Sequence, residues 1–123
     1  MNIDHVVNPV KVGSDSDLYV AQPITFRSMS KAAEQAKSAG INVKLYTISY
    51  PEDVMALPEE FQQLPALRRS VLDVTEFQGN RKLPLIKDIL DAVIEESEAD
   101  YIIYKNVDIS VMPYFYEFVG EKL

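Results

Sequence analysis

An alanine-faced helix that stops at a glycine and runs into a β-branched strand constrains this chain more than any other feature. Met29, Ala32, Ala33, Ala36 and Ala39 recur at helical spacing, and Gly40 stands where a helix needs a left-handed stop. With so small an inner face, the helix can lie close against a sheet. Val43–Ile48 follows, rich in β-branched and apolar residues, and reads as a strand. Upstream, Leu18-Tyr19-Val20-Ala21 is a short apolar run bounded by Asp17 and Gln22-Pro23, which reads as a buried strand. Pro23–Phe26 then forms a loop, and Ser28 is the expected N-cap of the helix. Strand, helix and strand within about thirty residues is the size of a βαβ unit, whose crossover is right-handed in about 98% of cases. The predicted class is α/β, Rossmann-like, with a mostly parallel sheet and flanking helices.

The remaining segments fit that class. Residues 1–17 are polar, with Asn8-Pro9 and a Gly13–Asp17 tract, and are expected to form an irregular N-terminal arm. Residues 18–123 are expected to form one domain. Tyr50–Asn80 is the least regular stretch, interrupted by Pro51, Pro58 and Pro65, with short helical turns expected near Val54 and over Pro65–Arg69. Ser70–Val74 fits either a strand or the end of a turn. Pro84 suits a first helical turn, and Ile86, Ile89, Leu90, Val93 and Ile94 follow at the helical period. Tyr101–Tyr104 reads as a buried strand of the parallel type, and Pro113 opens a last helix with Phe115, Phe118 and Val119 on its apolar side.

Composition narrows the function classes. A chain of 123 residues is one domain, large enough for a real core. The absence of cysteine excludes disulfides, thiolate metal sites and a cysteine nucleophile. Met1–His5 shows no basic region followed by an apolar run, so the expected location is cytoplasmic. No apolar stretch approaches the roughly 20 residues of a membrane helix. A net charge of −7 disfavours nucleic acid as a partner, although a divalent cation or local basic residues can still offset one anionic nucleotide. The four glycines form neither GxGxxG nor GxxxxGK[ST], which weighs against dinucleotide and P-loop chemistry.

In open parallel sheets, ligands bind beyond the carboxyl ends of the strands. Two polar clusters are expected there, Gln22–Arg27 and Asn106–Ser110, while Asn80-Arg81-Lys82 precedes the strongest helix. Asp108 can hold Mg²⁺ or Mn²⁺ together with ligand phosphates, because hard cations prefer oxygen and take few protein groups. Asn106 can bond a ribose hydroxyl or orient the metal shell. Arg81 and Lys82 can clamp a diphosphate, as can Arg27, while Gln22 and Thr25 can meet a base or ribose. Each has a plainer alternative that spacing alone favours: turn and cap bonds for Asn106 and Asp108, and a solvated surface for the cations. His5, the one histidine, falls in the expected arm, and no catalytic role is assigned to it.

Leu18–Arg27 resembles the first strand and base-binding loop of the nucleotide-diphospho-sugar transferases, the GT-A type glycosyltransferases. Asn80–Tyr116 resembles their later segment: a basic or amide-bearing loop, a helix, an apolar strand ending in an Asp-x-Asp-like motif, then a proline and an aromatic helix. Here the motif is Asn106-Val107-Asp108, and Asp108-Ile109-Ser110 is a second register for it. The resemblance implies an incomplete GT-A-like half that binds a nucleotide-sugar with Mn²⁺ or Mg²⁺. It makes Asp108 the metal-side carboxylate and Asn106 the ribose-side group. Gln22, Pro23 and Thr25 would border the base, and Arg81 or Lys82 would approach the nucleotide. Asn106 replaces the usual first aspartate. Such enzymes continue into an acceptor site and a catalytic base, so the expectation is of binding before turnover, with the acceptor unassigned. The competing expectation is a non-catalytic α/β module that covers its exposed apolar surface by homodimerisation. A flavodoxin-like domain would need an acidic cluster or phosphate loop where Gln22–Thr25 stands.

Overall fold

The structure is a computed structural model and describes residues 1–74, 79 and 82–123. Four strands are named in chain order: β1 (Asn2–Val7), β2 (Asn42–Thr47), β3 (Phe61–Gln63) and β4 (Tyr101–Tyr104). Three α-helices join them: α1 (Leu18–Ala36), α2 (Ile86–Glu96) and α3 (Phe115–Lys122). All strand pairs are parallel and the spatial order is β3-β2-β1-β4. This is an α/β, Rossmann-like architecture, as the sequence predicts.

Strand alternation sorts the core into two layers. Ile3, Val7 and Leu45 face Phe26, Met29, Ala32 and Ala36 of α1 and Tyr116 of α3. Val6 and Tyr46 face Ile89 and Val93 of α2. The alanine face of α1 lies flat on the sheet as expected, and Gly40 ends that segment at φ 76°, a left-handed conformation that a Cβ disfavours.

The N-terminal segment corrects the sequence reading. Residues 1–17 are not an irregular arm throughout, because Asn2–Val7 is the central strand. Its buried polar pair, Asp4 and His5, breaks the apolar run that would have marked it. Leu18–Ala21 is accordingly the first turn of α1, not a strand. A four-residue apolar run carries no periodicity that tells the two apart. Pro23 lies inside α1, where its missing N–H leaves the Tyr19 carbonyl without its i+4 donor. Ser28 is likewise helical and caps nothing at an N-terminus; its hydroxyl donates to the Thr25 carbonyl at 2.7 Å.

The middle and C-terminal segments differ in smaller ways. The irregular stretch contains the short strand β3, with turns of 3-10 helix at Pro51–Asp53 and Val71–Asp73. Ser70, which accepts from the Leu72 amide, caps the second turn. Pro84 precedes α2 and pairs with Ser70 in an isolated antiparallel bridge. On α2, Ile89 and Val93 are buried, but Ile86 and Ile94 are 56% and 59% exposed. Among the described residues β4 is an edge strand, so it is half-buried where full burial was expected. On α3 the inward residue is Tyr116, while Phe118 faces outward. No helix among the described residues is long and apolar enough to cross a membrane.

Candidate functional site

The chain leaves β1 for β2 on one side and reaches β4 on the other, so the topological switch point lies between β1 and β4. Residues 8–17 and 105–114 extend from the carboxyl ends of these two strands.

The first loop is pinned by side chains. The Asn8 amide donates to the Ile48 carbonyl at 2.7 Å, beside the end of β2. Buried Gln22 of α1 closes a two-way bond with Val10, accepting from its N–H at 2.8 Å and donating to its carbonyl at 2.7 Å. The Lys11 amide donates to the Asp53 carboxylate at 3.1 Å. These bonds hold the loop against α1 and the β2–β3 connection. Between them opens a groove of about 710 Å³. Val10, Val12, Tyr19, Phe26 and Met55 give it apolar walls, and Lys11, Arg27 and Glu60 also line it. A concave, mostly apolar surface with a few polar groups is the usual form of a small-ligand site.

The second loop turns sharply after β4. The Ile109 amide donates to the Asn106 carbonyl at 3.3 Å, which presents Asn106 and Asp108 to solvent. The Val111 amide donates to the Ser28 hydroxyl at 3.0 Å and ties this loop to α1. Lys105, the first residue after β4, is half-buried, and its Nζ lies 3.4 Å from the Met29 sulfur. Burial lowers its pKa to about 8, with the Asp108 charge acting in the opposite direction. Beneath it, fully buried His5 meets the Tyr116 hydroxyl through Nδ1 at 2.7 Å. Burial, and then the Lys105 charge, hold the imidazole down to a pKa of about 3, so it is neutral at ordinary pH. Burial also raises the Tyr116 phenol.

The predicted residues therefore divide. Gln22, Pro23 and Arg27 line the groove, from helix α1 and not from a loop. Thr25 lies behind them, buried, with its hydroxyl unpartnered among the described residues. Asn106 and Asp108 stand at the carboxyl end of β4 as expected. Lys82 is engaged elsewhere: its Nζ is 2.6 Å from Glu52 and 4.0 Å from the centre of the Tyr50 ring. The Glu52 bond raises the Lys82 pKa and lowers that of Glu52. Arg81, with Asn80, lies outside the described residues. The sequence reading did not single out Lys11 or Lys105, and it placed His5 in an irregular arm instead of the central strand. Lys105 had one usable signal, its position directly after an apolar strand, whereas His5 was hidden by the misplaced first strand.

No cluster of three or more His, Asp or Glu side chains that could hold a metal occurs among the described residues. Asp108 by itself offers the oxygen donors of one carboxylate. That donor set suits a hard cation that arrives with ligand phosphates, since Mg²⁺ in such sites takes only one or two protein carboxylates.

The fold and this edge define a class: a small Rossmann-like α/β domain with a groove between the loop after β1, helix α1 and the β2–β3 connection. No family model matches the chain, and no curated protein or solved structure does either.

Proposed function

We propose that the chain binds a nucleoside-diphosphate sugar at the β1/β4 switch point, with Mn²⁺ or Mg²⁺ carried by the diphosphate. The observation that carries this reading is the placement of Asn106–Asp108 at the carboxyl end of β4, directly beside β1 in an all-parallel sheet. Open α/β sheets place ligands at that position. Asp108 is the metal-side carboxylate and Asn106 the ribose-side amide. The groove takes the nucleoside end, with Tyr19 and Phe26 as apolar surfaces and Arg27 and Lys11 as cations that offset the −7 net charge locally. Glycosyl transfer to an acceptor is the activity this binding would serve. A bound cation would stabilise the leaving diphosphate as a Lewis acid.

Calorimetric titration of UDP and UDP-sugars, with and without Mn²⁺, tests this. Binding should be metal-dependent, and Asp108→Asn should weaken it by at least about tenfold, or 1.4 kcal/mol. Absence of any nucleotide binding at millimolar concentration would refute the proposal.

A second reading, self-association without catalysis, is favoured by one observation. Among the described residues β4 has no strand partner on its outer side, and Tyr101, Ile109, Met112, Tyr114 and Phe118, on or after it, are each exposed. Sedimentation equilibrium showing a dimer, together with a chain blind to nucleotides, would make it the better account.

A further inference from the structure

The ion-paired lysines Lys37, Lys82 and Lys87 sit on exposed carboxylate partners. Lys105 differs from them. Among the described residues it forms no ion pair, although the chain carries 19 acidic side chains, and its amine instead lies against the Met29 thioether. A thioether is a weak acceptor for a three-donor ammonium. Burial lowers its proton affinity, and the Asp108 charge offsets this only in part.

A second polar group beside it is also incomplete. β1 and β4 pair with His5 opposite Ile103, and alternation puts Lys105 on the same sheet face, diagonal to His5. Among the described residues the Tyr116 hydroxyl has one partner, His5 Nδ1. That bond uses Nδ1 and leaves Nε2 over, whichever tautomer His5 adopts. That Nε2 is buried and has no partner among the described residues. A weakly satisfied ammonium and a buried ring nitrogen without a partner among the described residues thus lie near each other on the α1 and α3 side of the sheet, at the switch point.

We propose that Lys105 is the cationic anchor of a phosphoryl-binding site at the carboxyl end of β4, between Met29 of α1 and the turn that carries Asp108. This deepens the nucleotide reading and rests on it for the identity of the physiological ligand. The chemistry recognised is the phosphoryl oxygen, which Lys105 meets as a point charge. His5 lies below it, neutral and fully buried, with Nε2 available to a water that the ligand would hold.

Inorganic pyrophosphate without metal, and UDP with Mn²⁺, are titrated in parallel into wild type, Lys105→Met, Lys105→Arg and Lys105→Gln. Circular dichroism checks folding, and Lys105→Gln replaces the methionine variant should that one fail to fold. Pyrophosphate should bind wild type in a salt-sensitive manner. Its affinity should fall at least about tenfold when the charge is removed and stay within about threefold in Lys105→Arg. Pyrophosphate binding through Lys105 with no UDP binding would sustain the anchor and sink the nucleotide reading. UDP binding that ignores all three variants would do the reverse. Undetectable pyrophosphate binding, or equal binding by wild type and Lys105→Met, overturns the anchor.

Discussion

His5 is the residue whose surroundings change its chemistry most. In the folded chain its pKa falls from 6.5 to about 3, through burial first and the Lys105 charge second. A depressed folded pKa means that the unfolded chain binds the proton first as pH drops. Stability from this group is therefore complete above pH 6.5 and is lost as pH falls toward 3, by about 1.4 kcal/mol per pH unit. Urea unfolding at pH 7.5 and pH 5.5 should show that loss, and His5→Gln should flatten it. An unchanged slope in the variant would mean that carboxylates, not His5, set the acid limb. Lys105 acts in a separate window. Its pKa is also lowered by folding, from 10.5 to about 8, so its contribution grows as pH rises between those values. The placement of some residues was legible: Gln22, Pro23 and Arg27 line one groove, and Asp108 follows the carboxyl end of a strand. The buried His5 was not, because a histidine next to an aspartate looks like surface until the strand around it is known to be central.

Helix α1 shows how an element can be half legible. Its second half, Met29 to Ala36, carries the helical period and is followed by Gly40, and both were readable. Its first half looked like a strand and a loop because Pro23 interrupts it and because Leu18–Ala21 is continuously apolar. Tertiary packing decides the matter: Gln22 is held by Val10, and Thr25 and Phe26 are buried against the sheet. Gly40 supplies a clean test of the helix end. A Cβ there meets no atom within 4 Å, so any cost of Gly40→Ala is backbone strain at φ 76° and not a clash. Thermal or urea denaturation should show a loss of about 1 kcal/mol. A neutral substitution would mean that the turn relaxes to a right-handed form. β3 had no comparable signal, since Phe61-Gln62-Gln63 is short and mostly polar and is fixed as a strand by pairing with Leu45–Thr47.

At the scale of the whole molecule, the class was readable from helix and strand spacing, but the order β3-β2-β1-β4 was not. Once Asn2–Val7 is placed in the middle, the switch point moves to β1/β4 and brings residues 105–111 to the edge where a ligand is expected. The same placement turns Gln22–Arg27 from a loop at a strand end into one wall of a groove. A nucleotide site at this edge is defined by location as well as affinity. The most direct test is a backbone amide NMR titration of the ¹⁵N-labelled chain with UDP and Mg²⁺. Shifts should concentrate at residues 10–12, in the first half of α1, near 55–60 and at 105–111, and the last group should be silent in Asp108→Asn. Shifts confined to α2 and the outer face of the sheet, or none at millimolar nucleotide, would contradict a nucleotide site at the β1/β4 switch point.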